Sequence, residues 1–253
     1  MLLFTDIDNT LIYSHRHMIK EPVIWVEELN GKRQSFITQR TYSFYKYQNT
    51  LEVVPVTTRT FAQYERLKDL FSFFGWRDVL ICNGAVLLAE GIEDADWTEE
   101  SVRLSQKDRP FYEEAFEYAS EITDSERIEA IHPFMFYIKA KDVDKTISLL
   151  SEKIDKKHVT VLRDSRKVYC FPSSLNKGTA AERYKQRVCR QHYIAAGDSE
   201  FDIPMLMNAD ICLCPESLTE FDAGGVRRSC SGLFSDEICM ELERLRKKGL
   251  IGD

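Results

Sequence analysis

The feature that most constrains this fold is an alternation. Short apolar runs, each closed by polar or acidic residues, trade places with longer stretches whose apolar residues recur at helical spacing. Leu2–Thr5 runs into Asp6-Ile7-Asp8, residues 51–56 into Thr57-Thr58-Arg59, and residues 79–82 into Asn83-Gly84. Tyr193–Ala196 runs into Gly197-Asp198-Ser199, and 211–213 is a further short run. Near-continuous apolar strands belong in a parallel sheet covered by helices on both faces. The spacing predicts a helix over 61–74, where Phe61, Tyr64, Leu67, Leu70, Phe71 and Phe74 share a face. Others are expected over 177–190, from about 203, and near the end, where Ser235 can cap a helix that turns Ile238, Leu242 and Leu245 inward and stops at Gly249. The expected class is α/β, with a Rossmann-like, doubly wound parallel sheet as core.

Two stretches break the pattern. Residues 23–28 and 34–38 flank Asn30-Gly31, a pair that favours a tight hairpin turn, and this hairpin could form a flap. Between 85 and 172 the texture changes to helices at 110–122 and 143–154 among strands at 134–140, 158–163 and 167–171. Pro110 sits in a first turn, where proline is tolerated, and Asp164-Ser165 reads as a turn. The chain therefore reads as a core of 1–84 and 173–253 with an inserted α+β module of 85–172.

Composition narrows the class. With 43% hydrophobic and 30% charged residues, the chain is neither disordered nor fibrous. A net charge of -7 argues against nucleic-acid binding. No apolar run approaches membrane-spanning length, and the first one reaches Asp6 too soon to serve as a secretory signal. Seven cysteines lack a paired framework, and Cys212-x-Cys214 lacks the two-residue spacer of a zinc knuckle. Reduced thiols and a cytoplasmic location are expected.

The chemistry-bearing residues cluster by position. Asp6, Asp8, Thr57 and Asp198 fall at the carboxyl ends of predicted strands, where sheets of this kind bind ligands. Asp6 and Asp8, two apart, can project to the same side. Asp202 lies four residues after Asp198, at a helix start. Three carboxylates converging on one crevice repel one another, and a hard divalent cation with oxygen ligands, Mg²⁺ above others, resolves that repulsion. Lys177, at another helix start, could add positive charge.

These residues carry a resemblance. Phe4-Thr5-Asp6-Ile7-Asp8-Asn9-Thr10 resembles the D-x-D-x-T signature of the haloacid dehalogenase (HAD) superfamily. Thr57 after an apolar strand resembles its second motif, Asn176-Lys177-Gly178 its third, and Gly197-Asp198-Ser199-Glu200-Phe201-Asp202 its fourth, all in the family's order. The resemblance implies that Asp6 attacks phosphorus and forms an aspartyl-phosphate. It implies that Asp8 protonates the leaving oxygen and later deprotonates water. Thr57 would hydrogen-bond the transferring oxygens and Lys177 neutralise them, with Mg²⁺ between Asp6, the backbone carbonyl of Asp8 and Asp198. Asp202 would position Lys177 or a metal-bound water. An acid at Asp8 fits phosphatases and phosphomutases, not the superfamily's dehalogenases or ATPases.

The inserted module resembles a C2-type cap of the Cof-like and sucrose-phosphatase-like branches, and Asn83-Gly84-Ala85 matches a feature of those branches. Candidate substrate residues are Thr58, Arg59, Asn83, Arg163 and Arg166, with His132 and Lys139 beside them. Three departures stand out: Asn9 and Thr58 where Gly is usual, and Phe201 where Asn is usual. Asn tolerates the positive φ that the first turn needs. The expectation is a phosphatase of a small phosphorylated metabolite, a sugar phosphate first, with no nucleic-acid or membrane partner. A phosphomutase and a catalytically silent binding domain are the alternatives, and an exposed cap or hairpin could support a homodimer.

Each residue also has a plainer reading. Thr57 could cap a helix, Lys177 could be an exposed first-turn lysine, and Asp202 could answer a helix dipole. Asn83-Gly84 could be a simple turn, the cap residues a solvated surface, and His15 and His17 part of a solvated loop.

Overall fold

The computed structural model describes residues 1–122, 125–219 and 221–251. The chain divides into two compact units, Met1–Glu93 with Lys177–Asp253, and Asp94–Asn176.

The first unit is built on five parallel strands in the order Val226–Cys230, Ile211–Pro215, Tyr193–Ala196, Leu2–Thr5, Glu52–Pro55. Leu2, Leu3 and Phe4 are fully buried, and Phe4 meets Tyr184 and Tyr193 edge to face. Burying an apolar side chain of that size stabilises by about 1.5–3 kcal/mol, so this strand anchors the core. From Leu2–Thr5 the chain moves to Glu52–Pro55 on one side and later to Tyr193–Ala196 on the other. Strand order thus reverses beside Leu2–Thr5, and a doubly wound sheet opens its binding crevice at such a reversal.

Two antiparallel sheets complete this unit. Tyr13–Ser14, Lys32–Thr38 and Val23–Leu29 form one, closed by Asn30 and Gly31, both at positive φ. Asp78–Ile81, Val86–Ala89 and Ile92–Glu93 form the other, which touches the parallel sheet through a bridge between Val56 and Leu80. The sequence places the start of the inserted module at 85, whereas the second unit starts at Asp94. The reason is pairing: Val86–Ala89 folds back on Asp78–Ile81 and stays with the first unit.

The second unit has a four-stranded antiparallel sheet, ordered Val159–Asp164, Lys167–Pro172, Met135–Ala140, Ser125–Ile131. Tyr112, Ala115 and Ala119 of the helix Arg109–Glu121 and Leu150 of Val143–Lys153 pack with Phe136, Ile138 and Val168 of the sheet. Asp108 precedes the first of those helices but does not cap it. Its buried carboxylate accepts from Ser174 N at 2.9 Å and contacts His158 Nδ1 at 2.8 Å, tying helix start to sheet.

Several expectations change. The helix read over 61–74 is two, Phe61–Tyr64 and Lys68–Phe73, separated where Leu67 N turns to Tyr64 O. Thr60 caps the first in a capping box with Gln63. The helix read to 190 ends at Arg187, and the last helix, Phe234–Lys247, begins before Ser235. Ser235 therefore lies inside its first turn, where its N–H donates to Tyr13 Oη. Helices Gln39–Tyr47 and Ala95–Leu104 and strands Ser125–Ile131 and Val226–Cys230 add to the elements that the sequence pattern predicts.

Candidate active site

The register of the parallel sheet sets the site. Thr5 pairs with Ala196 on one side and Pro55 on the other, so the residues that follow leave the sheet side by side. Asp6 continues the ladder by donating its N–H to Ala196 O. Asn9, at φ 60, turns the chain, and its N–H bonds Ile12 O; this is the positive φ expected of asparagine there.

Lys177, the first residue of the helix Lys177–Arg187, is buried rather than exposed. Its Nζ lies 2.5 Å from Asp6 Oδ1 and 2.6 Å from Asp202 Oδ1. Gly178 lets this helix approach, because a Cβ there would overlap the backbone of Pro204. Asp202 holds the fourth motif's turn together: its Oδ2 accepts from Asp198 N, Ser199 N and Ser199 Oγ at 2.9–3.1 Å. Gly197 is required beside it, since a Cβ would collide with the Asp202 side chain. Thr10 Oγ1 donates to Asp198 Oδ1 at 2.9 Å. Thr10 belongs to the D-x-D-x-T signature, so its position was visible in sequence although its partner was not.

Asp6, Asp198 and Asp202 bring carboxylate oxygens within 4.8 Å of one another. Burial pushes the Asp6 carboxyl well above the usual carboxylate range; Lys177 pulls it back, and the Asp202, Asp198 and Asp8 charges raise it again. Burial, then the Asp202 charge, lifts Asp198 to about 7 against its bond from Thr10. Burial alone would lower the Lys177 ammonium, yet Asp202 and Asp6 outweigh it and hold it above its ordinary value. One ammonium among three close carboxylates leaves an excess of negative charge, and the free donors are hard oxygens. That set fits Mg²⁺. Asp202 is the poorest ligand of the three, because its Oδ2 already accepts three hydrogen bonds.

Thr57 is buried, and its Oγ1 accepts from Arg59 N at 3.1 Å, which leaves its hydroxyl hydrogen to donate. It caps no helix; Thr60 does. The loop it begins is fastened to the neighbouring hairpin by Thr57 N to Leu80 O, Asn83 N to Thr57 O and Cys82 N to Arg59 O. Asn83 is buried at φ 60, so it forms part of this loop's frame. Thr58 is half-buried and Phe201 is buried.

Asp8 does not point its carboxylate into the acidic cluster. Arg59 Nε and Nη2 hold its two oxygens at 2.8 and 2.7 Å. Arg59 also reaches Glu27, a residue that sequence reading did not single out. In the second unit, Arg163 pairs with Asp144, while Arg166 and Lys139 share Glu126. His132 packs its ring against Phe116 and Tyr112. His15 and His17 are exposed.

No helix of the described residues is long and apolar enough to cross a membrane. Comparison with curated proteins gives no match. Among solved structures, the sucrose-phosphatase of Synechocystis sp. PCC6803 is similar at 15% identity and a TM-score of 0.62, over 97% of this chain and 96% of that one. A sugar phosphatase of HAD subclass IIB is similar at 12% identity and a TM-score of 0.67, over 96% and 98%. A trehalose-6-phosphate phosphatase related protein is similar at 17% identity and a TM-score of 0.53, over 97% and 98%. At such identities the likeness is one of fold. The profile of the haloacid dehalogenase-like hydrolases matches residues 58–216, a stretch that begins after Asp6 and Asp8 but includes Lys177, Asp198 and Asp202. With more than half of its length so matched, the chain belongs to the haloacid dehalogenase-like hydrolase family.

Proposed function

We propose that the protein is a Mg²⁺-dependent phosphatase of small phosphomonoesters, with Asp6 as nucleophile. The observation that carries this reading is the Asp6–Lys177–Asp202 chain beside Asp198, at the point where strand order reverses. An Asp6 oxygen would attack phosphorus in line while the bond to the leaving oxygen breaks, giving an aspartyl-phosphate. Asp8 would give its proton to that leaving oxygen, then take one from the water that opens the acyl-phosphate. Lys177 and the Thr57 hydroxyl would meet the charge on the transferring oxygens. Asp6 and Asp198, with the Asp8 carbonyl, would hold Mg²⁺, which supplies charge neutralisation for the phosphoryl group. Asp202 would fix Lys177 and the turn carrying Asp198. A sugar phosphate is the favoured substrate class, because the similar folds named above include phosphatases of sugars. Under this reading the second unit serves as a C2-type cap, and the enzyme works in the cytoplasm.

Phosphate release from p-nitrophenyl phosphate and a panel of sugar phosphates tests the reading. Wild type is expected to turn over with Mg²⁺ and to stop with EDTA. Asp6→Asn is expected to lose at least about 1,000-fold in kcat, since it removes the nucleophile. A panel with no turnover of any ester would falsify the proposal, and transfer without release would point to a mutase.

A further inference from the structure

Glu27 is buried where its strand gives no reason for burial. Val23–Leu29 lies in an antiparallel hairpin, and of its seven residues Glu27 is the one that is buried. The pairing with Lys32–Thr38 shifts register on both sides of it, between Trp25 and Glu27 and between Glu27 and Glu28. Irregular pairing of this kind re-aims a side chain. A carboxylate with a 3% exposed side chain is costly to bury unless partners meet it on every side. They do. Ser35 Oγ donates to its Oε2 at 2.6 Å, Arg59 Nη1 and Nη2 reach its two oxygens at 2.9 and 3.0 Å, and Arg66 Nε lies 2.9 Å away.

The opposite edge of the same guanidinium grips Asp8, through Nε at 2.8 Å and Nη2 at 2.7 Å. Nη1 spends its remaining hydrogen on the Gln63 carbonyl at 3.3 Å. A guanidinium has five N–H donors in a rigid plane, and here all five have acceptors. It therefore cannot rotate about its plane without breaking an ion pair. Its backbone is fixed as well, by Thr57 Oγ1 and Cys82 N. Bidentate pairing sets the direction of a carboxylate as well as its place.

We propose that Glu27 is a positioning residue: it fixes Arg59, and Arg59 aims the Asp8 carboxyl, so that the hairpin governs proton delivery to the leaving oxygen. This inference rests on the phosphatase reading and on Asp8 as its acid. When Asp8 turns an oxygen toward a leaving group, it gives up an Arg59 contact. Glu27 keeps the guanidinium in place meanwhile, so that Asp8 moves against a fixed reference and returns to it. If Glu27 merely secured the hairpin, its loss would weaken every reaction of the site alike.

Leaving-group dependence separates the two roles. kcat/KM covers the steps up to departure of the leaving group. An alkyl phosphate needs a proton at that step, and dinitrophenyl phosphate, whose leaving anion is stable, does not. Glu27→Gln is expected to lower kcat/KM about tenfold or more for the alkyl ester, as misplaced catalytic groups do, and less than about threefold for the dinitrophenyl ester. Equal losses on both esters, or no loss on the alkyl ester, would overturn the inference. Ser35→Ala removes one hydrogen bond to Glu27 and no charge, and is expected to show the same selectivity at smaller size. Should Glu27→Gln fail to fold, Ser35→Ala decides by the same criterion. A wild-type enzyme that turns over neither ester removes the phosphatase reading and this inference with it, whereas an active wild type with unselective variants removes this inference alone.

Discussion

Lys177 is the residue on which most of the site's charge balance turns. Its ammonium is 1% exposed and stands between Asp6 and Asp202. Breaking a buried pair by removing one partner costs about 3–5 kcal/mol, because the other charge is left uncompensated. Lys177→Met is therefore expected to abolish turnover and to lower stability by about that amount at neutral pH. Its deficit should shrink in acid, where Asp6, whose carboxyl burial raises, can take up a proton, and urea unfolding at two pH values measures this. Sequence order alone brought Asp6, Lys177, Asp198 and Asp202 into view, since each stands at a strand end or helix start. Glu27 stayed hidden for a physical reason. A glutamate in an alternating strand reads as solvent-facing, and the shifted register that turns it inward leaves no mark in the sequence. Arg59 was in view as a candidate substrate residue, but its grip on Asp8 and Glu27 depends on what lies at both its edges.

At the level of elements, the strands were legible where they are apolar on both faces, as in Leu2–Thr5 and Tyr193–Ala196. The hairpin was legible through Asn30-Gly31. Gln39–Tyr47 was not, because it is short and polar and buries Thr41 and Tyr45 alone, one turn apart. The run 61–74 misled for the opposite reason. Its aromatic residues keep helical spacing across Glu65–Leu67, where the chain tightens and Arg66 turns to Glu27. Packing between elements also sets a demand on Gly178. The helix Lys177–Arg187 comes so near Pro204 that a methyl group has no room. Gly178→Ala is expected to cost about 1–3 kcal/mol, as overpacking does, and to lower activity through displaced Lys177. Calorimetry and kcat on the same sample check both; unchanged stability would mean that the helix draws away from Pro204 freely.

Over the whole molecule, the acidic cluster couples stability to pH and, under the proposed Mg²⁺ reading, to metal. Folding raises the Asp6 carboxyl above its ordinary value and Asp198 to about 7. An acid whose folded value is raised binds more protons in the native state, so stability falls as pH climbs from about 4 through the folded value. In EDTA the melting temperature is accordingly expected to decline between about pH 5 and 8, in the direction linkage requires. Saturating Mg²⁺ should flatten that decline, because a ligand of the native state stabilises it by mass action. Asp198→Asn should remove most of the metal's effect, and thermal scans across pH with and without Mg²⁺ give the answer. The division of the chain has a further consequence, for synthesis. Leu2–Thr5 finds its partner Tyr193–Ala196 only after all of Asp94–Asn176 has been made. On the ribosome the contiguous unit can close first, while the parallel sheet has only Leu2–Thr5 and Glu52–Pro55 of its five strands. Asp6 emerges 171 residues ahead of Lys177, so its carboxylate waits that long for the ammonium that faces it.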